Sequence, residues 1–459
     1  MSHIFGDLAA MEARYCSWGD TVHYNDPIRM FEECQDAFLF DSHGNRYLDF
    51  QMAYSAVNFG YRNGFFLDAI LDQLDRLPQI ASEYVTREKI LLCARICRSV
   101  EERWGIPGRV HFNVGGSQAI EDSLKLIAAN CGRRKVFAFE GSYHGRTLGA
   151  SSISSSFRYR SRYGDFGDRA CFIPFPYCFR CPYGKDIQDC DLYCANQFAR
   201  LFESEFQGLK DMRDGRTEFV AFYAEAIQGT GGYVIPPKGY FPKLKRILDE
   251  HGILFVLDDI QMGFFRTGTL WSIEHFGIEP DVLIFGKSLT NGLNPLSGIW
   301  AREKLISPDR FPPGSTHSSF ASNPIGVRLG LATFDWIDKQ DYARTVPDLG
   351  TYLLKGLRNL QQVHSEFGHV DALGLAARVE ICHRDGFTPN RELTERIKAK
   401  AMDHSVETDE GPLRLVLDIG GYFKNVLTLA PPLDIDVATI NRFLKILDAA
   451  TITAKKEYS

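Results

Sequence analysis

The chain contains no apolar run of the roughly 18 residues that a membrane-crossing helix requires, which excludes such a helix. Its opening stretch, MSHIFGDLAAMEARYCSWGD, has no basic patch followed by apolar residues, so no secretory leader is expected. Positive charge is not in excess. The formal net charge is −6, the wrong sign for nonspecific binding to nucleic acid. Cysteine is too sparse for a disulfide scaffold: there are eleven in 459 residues, an odd number and mostly scattered. A reducing, cytoplasmic compartment is the expectation. Internal repeats and low-complexity linkers are also missing. What is present is a globular composition, 44% hydrophobic and 24% charged, in a chain long enough for two lobes.

Residues 37–50, AFLFDSHGNRYLDF, read as a β-hairpin, with two alternating apolar runs around a polar SHGN turn. Residues 71–104 repeat apolar positions at helical spacing. Short β-rich runs follow: VFAFE (136–140), FVAFYAE (219–225), ILFVLDD (253–259), VLIFGK (282–287) and GIWAR (298–302). Runs this continuously apolar suit strands of a parallel sheet covered on both faces. Residues 326–362 and 388–404 read as helical. The expected fold class is α/β. A large domain at 65–325 holds a mostly parallel sheet between helices, and a small α+β domain is built from residues 1–64 and 326–459.

Three segments carry chemistry. GGSQAIEDSLKLI (115–127) opens a helix with glycines, and free N–H groups at a helix start suit a phosphate. Alone, it reads first as a Gly-Gly turn with Ser117 as N-cap. ILFVLDDIQMGFFRTG (253–268) ends a buried strand in Asp258 and Asp259, where α/β sheets place their ligands. Alone, such an acid often caps the next turn. VLIFGKSLTNGLNPLSG (282–298) puts Lys287 just past a buried strand. A desolvated lysine there becomes a nucleophile for an aldehyde, and the plain alternative is a solvated loop lysine.

Taken in order, these segments resemble the class III (subgroup II, ω-type) aminotransferases among the fold type I pyridoxal 5′-phosphate (PLP) enzymes. GGSQAIE, SYHGRTLGA, EAIQGTGG, LDDIQMGFFRTG, FGKSLTNG, THSSFASNP and NVLTLAPPL occur in the family's order. The resemblance implies PLP as cofactor. It implies that Gly116 and Ser117 hold the phosphate, and that Tyr143 and Ile260 flank the pyridine ring. Asp258 would pair with the ring nitrogen, Gln261 would lie near the phenolic oxygen, and Lys287 would form the Schiff base. Ser319 stands where the family usually has a threonine that reaches the phosphate from the partner subunit, which implies a homodimer with shared active sites. The implied substrates are a small-molecule amine and a 2-oxo acid or other carbonyl acceptor, and the implied reaction is transamination. The same lysine and cofactor also serve racemases or epimerases and dialkylglycine-type decarboxylases, and a fold retained only for binding is a further alternative.

Two departures bear on substrate. Ornithine-type members carry a glutamate where this chain has Thr230, and a carboxylate-gripping arginine where it has Thr428. Losing both implies a neutral, roomier pocket. Such a pocket suits an amino sugar of the aminoglycoside type or a hydrophobic ω-amine, with Arg378 or Arg162 as candidate cations for a carboxylate. A third feature is the insertion PYCFRCPYGKDIQDCDLYC (176–194). Cys178, Cys181, Cys190 and Cys194 could close a tetrahedral zinc site, although the middle gap is short for a zinc ribbon. Free or disulfide-paired thiols are the other reading. His144 and His317 read as local hydrogen-bond partners, RYRSRYGDFGDR (158–169) as a solvated or channel face, and YCSW (15–18) as packing.

Overall fold

The apolar runs are rich in valine, isoleucine and phenylalanine, residues that suit a pleated, buried surface. In the computed structural model, which describes residues 8–20, 28–132, 135–160, 163 and 169–458, they form a seven-stranded sheet. Its order is Gly108–Asn113, Ser297–Arg302, Val282–Phe285, Leu254–Asp258, Phe219–Ala224, Lys135–Phe139 and Ala170–Ile173. The pairs from Val282–Phe285 through to Ala170–Ile173 are parallel. Ser297–Arg302, expected as a further parallel strand, instead runs antiparallel to both neighbours. An apolar run reports burial on two faces and carries no information on direction.

Both faces are indeed covered. Phe137, Phe139, Phe222, Phe255 and Leu257 pack on one side, with Phe241 and Leu244 of the helix Tyr240–Glu250. Val136, Ala138, Tyr223, Val256 and Ile284 pack on the other, with Ala119 and Ile120 of the helix Gly116–Cys131. Successive side chains alternate between these layers, as the strand period of two requires.

The expected hairpin forms from Phe38–Asp41 and Arg46–Asp49. Its second strand pairs in parallel with Gly411–Val416 near the other end of the chain. A four-stranded sheet follows the order Phe367–Leu373, Ala376–Ile381, Val426–Leu429 and Asp418–Gly420. The helical stretch at 71–104 is two helices, Gly64–Arg76 and Arg87–Trp104, with Pro78 between them. Proline removes a donor and restricts the residue before it, so the break falls there. The stretch at 326–362 likewise divides into Pro324–Ile337 and Tyr342–Val363, and that at 388–404 is Arg391–Asp403.

Arg266 ties these regions together. Fully buried, it donates to Ser55 Oγ, Asn58 Oδ1 and the carbonyls of Leu375 and Pro431. Among the described residues no helix is long and apolar enough to cross a membrane.

Candidate active site

The strands deliver their chemistry at one end. Asp258 is the last residue of Leu254–Asp258, Glu225 follows Phe219–Ala224 directly, and Lys287 lies two residues past Val282–Phe285. These three, with Gly116, Ser117, Tyr143, His144, Ile260 and Gln261, line a cavity of about 350 Å³. That volume suits a small cofactor or ligand. Residues spread over 171 positions of sequence, from 116 to 287, are thereby brought together.

The chain turns through Gly115 into the helix Gly116–Cys131, whose N-terminus opens on the cavity. A Cβ on Gly116 would stand 2.9 Å from Ile260 Cδ1. A Cβ on Gly145, which has φ +122°, would stand 2.3 Å from Ser117 Oγ. Glycine is therefore what lets these backbones close round Ser117. The Arg146 N–H donates to Ser117 Oγ at 3.2 Å.

Asp258 is held at both oxygens. Ile260 N donates to Oδ1 at 3.2 Å, and His144 Nδ1 lies 2.8 Å from Oδ2. Facing a carboxylate, that nitrogen carries the proton, and His144 Nε2 is buried with no partner among the described residues. His144 is thus more than the incidental local partner the sequence suggested: it orients the acid. The adjacent Asp259 points away and accepts from the backbone N–H and hydroxyl of Ser272. It serves the fold.

Lys287 takes a left-handed conformation, φ +42°, at the start of the short turn Lys287–Thr290. Non-glycine residues held this way cost about 1–3 kcal/mol and cluster at functional sites. Burial pushes its amine down to about 8, although Asp258, Glu225 and Asp418 pull the other way. Tyr143 packs edge-on to Tyr159, ring centroids 5.2 Å apart, and its N–H donates to Glu225 Oε1 at 3.0 Å. Gln261 Nε2 donates to Tyr233 Oη at 3.1 Å.

Glu225 is the cavity residue that the sequence reading missed. Its other oxygen accepts from Gly229 N at 2.8 Å, and burial pushes its carboxyl up to about 7. A signal was present, since an acid directly after a fully apolar strand lies where Asp258 does.

Other expected residues lie elsewhere. Ser319 is exposed and outside the cavity, its carbonyl accepting from Gln79 Nε2 at 3.3 Å. The Thr428 methyl and the Thr230 carbonyl both lie within 3.3 Å of where a Cβ on Gly420 would stand, but neither residue lines the cavity. The surroundings of Thr428 are not free of charge. Thr428 Oγ1 donates to Asp418 Oδ2 at 2.9 Å, so a carboxylate stands beside the hydroxyl. Arg378 is corrected as a cation for substrate. It is 1% exposed, does not line the cavity, and pairs at 2.6 Å with Glu380, which is equally buried. Arg162 and much of the run 158–169 lie outside the described residues. His317 is exposed and outside the cavity.

Cys178, Cys181, Cys190 and Cys194 are all half-buried and free. Burial, and then the neighbouring thiols, push Cys178 up to about 11. Among the described residues no three histidine, cysteine or carboxylate side chains are arranged to hold a metal ion. The insertion docks on the four-stranded sheet. Arg180 pairs with Glu380, and Phe179 stacks on His369 at 4.7 Å.

This geometry has counterparts in known proteins. The profile "Aminotransferase class-III" matches residues 21–451. A leucine/methionine racemase of Thermococcus litoralis is 33% identical over 422 residues, 91% of this chain and 89% of its own. An alanine/serine racemase of Pyrococcus horikoshii is 29% identical over 425 residues, 92% of this chain and 85% of its own. An amine transaminase from an uncultivated Pseudomonas species, solved in its PLP-bound form, superposes with a TM-score of 0.83 at 23% identity, covering 96% of this chain and 98% of that one. With a profile spanning nearly its whole length and a racemase one-third identical to it, the chain belongs to the class-III, fold type I family of PLP-dependent aminotransferases.

Proposed function

We propose that this enzyme uses PLP to isomerise an α-amino acid at its α-carbon. The observation that carries this reading is that, among the described residues, no arginine lines the cavity. Transamination with a dicarboxylic partner needs a group that grips a second carboxylate, as a bidentate arginine does. Here the candidate Arg378 is buried against Glu380, and a carboxylate, Asp418, adjoins Thr428. Isomerisation handles one substrate and its mirror image, so it needs no such grip. Both racemases described above support the same choice.

The residues fit the cofactor. Gly116, Ser117 and the helix start behind them would take its phosphate, with Gly145 leaving room for the Ser117 hydroxyl. Tyr143 and Ile260 would flank its ring, Gln261 would lie near the phenolic oxygen, and Lys287 would bind the aldehyde carbon. When bound, PLP supplies an electron sink for charge developing on the substrate α-carbon. Asp258, oriented by His144 and Ile260 N, keeps a proton on the ring nitrogen. Lys287, whose amine burial has made easier to deprotonate, would take the proton from one face of the substrate carbon, and inversion requires a proton delivered to the opposite face.

Incubation of the holoenzyme with single L-amino acids in D₂O distinguishes the reactions. We expect the α-hydrogen to wash out and optical rotation to fall, with no 2-oxo acid and no conversion of the cofactor to its amine form. Stoichiometric conversion to that form, followed by turnover only when a carbonyl acceptor is added, would establish transamination instead. That second reading is favoured by the fold shared with the amine transaminase.

A homodimer is part of the proposal. Ser319 is exposed beside Phe320, which is 61% exposed, and Tyr84, Val85, Ile90 and Leu91 are exposed nearby in sequence to Gln79. Contiguous exposed apolar side chains mark association surfaces, and the Gln79–Ser319 hydrogen bond brings these two segments together. Sedimentation at working concentration should give a dimer, and a fully active monomer would contradict it.

A further inference from the structure

The four-stranded sheet places one residue of each strand in a single row. Asp371 pairs with Arg378, Arg378 with Thr428, and Thr428 with Asp418. Directly opposed residues point to the same face. Along that row the Arg378 guanidinium donates to Glu380 and Tyr177. Asp418 is left as the charged group beside Thr428. Its Oδ2 accepts from Thr428 Oγ1 at 2.9 Å, and its Oδ1 accepts a long bond from Gln51 Nε2 at 3.3 Å.

Asp418 is not itself a wall of the cavity, but three contacts link it to residues that are. Gly421 N donates to Thr230 O at 3.0 Å, which packs the 418–421 edge on the loop after Glu225. Tyr233, in the same loop, accepts from the cavity residue Gln261 and feels the charge of Asp418. Gln51 precedes Met52–Ser55, a left-handed turn whose Tyr54 carbonyl accepts from Gln261 at 3.4 Å and which leads into the cavity residue Ala56. The charge of Asp418 also reaches Lys287.

This carboxylate has no counter-ion at contact distance. Among the described residues no salt bridge joins a lysine or arginine to it; Lys398 senses its charge from farther away. Asp49, the other nearby acid, is engaged by Tyr61 Oη and the N–H groups of Gln51 and Met52. A half-buried carboxylate accepting only two hydrogen bonds from neutral donors has acceptor capacity to spare. It attracts a cation and disfavours a second anion.

We propose that Asp418 reads the substrate side chain, selecting amino acids that end in a protonated amine over apolar ones of similar length and rejecting those that end in a carboxylate. This rests on the reading of the same cavity as an amino-acid site, but its test does not require turnover. A charge-assisted bond is worth more than a neutral one by an amount that corresponds to roughly tenfold in affinity.

The test is calorimetric binding to PLP-loaded wild type and Asp418→Asn, using L-lysine against L-norleucine and L-glutamate against L-glutamine. Wild type should bind lysine about tenfold more tightly than norleucine, and glutamate about tenfold more weakly than glutamine. Asp418→Asn should bring both ratios to within about twofold while retaining norleucine binding. Equal affinities within each pair in wild type, unchanged ratios in the variant, or no binding of lysine at millimolar concentration would each overturn the proposal. α-Hydrogen exchange with norleucine, measured on the same samples, separately tests the isomerase reading. Its failure alongside intact binding ratios would remove that reading and leave Asp418 as a selector.

Discussion

Lys287→Ala should abolish covalent retention of the cofactor. Wild-type protein treated with borohydride should keep the pyridoxyl group on the peptide containing Lys287, and the variant should keep none. Turnover should fall by about 10⁴-fold, the upper end of what a positioned proton-transfer group contributes. The expectation rests on place as well as residue type. Lys287 follows a fully buried strand, lines the cavity, and is held at φ +42° where a relaxed loop lysine would not be. Burial has pushed its amine from an ordinary value near 10.5 to about 8. Only the unprotonated amine attacks an aldehyde, so the rate at which apoprotein captures PLP should rise with pH through about 8 and level off above it. Stopped-flow absorbance reads this directly. A midpoint near 10.5, or a borohydride-stable label in Lys287→Ala, would show that another amine is the reactive one.

Position within a strand-to-turn motif made Lys287 and Asp258 legible in sequence, since a buried strand and the residue at its end are contiguous. Gly116 and Ser117 were legible for the same reason. Glu225 occupies an equivalent position but was passed over, because its burial, which makes it unusual, is a property of the packed fold. His144 was undervalued because its contact with Asp258 spans 114 residues. Asp418 could not be read at all. Its significance comes from strand register, which sets it opposite Thr428, and from a loop near residue 230. The burial of Arg378 against Glu380, two residues on, is likewise a property of the packed fold. Strand direction was the other gap. GIWAR looks like its parallel neighbours because burial on both faces, and not polarity along the sheet, sets its composition.

Asp258→Asn should lose about 10²–10³-fold in turnover, the loss typical of removing one preorganised electrostatic group. Its fold should survive. An amide can keep one of the two contacts made by the carboxylate, to Ile260 N at 3.2 Å or to His144 Nδ1 at 2.8 Å, so the thermal midpoint should move by only a few degrees, about 1 kcal/mol in a chain of this size. What the amide cannot supply is the negative charge that holds a proton on the ring nitrogen, and without that proton the ring is a poorer electron sink. A second readout separates this role from a structural one. Asp258 is the foremost of the charges that raise the Lys287 amine against the effect of burial. Removing it should move the midpoint for PLP capture by the apoprotein to lower pH than in wild type. A purely structural aspartate would leave that midpoint where it was. Near wild-type turnover together with an unmoved midpoint would show that Asp258 only positions His144, and the assignment of the acid would pass to Glu225, which lines the same cavity.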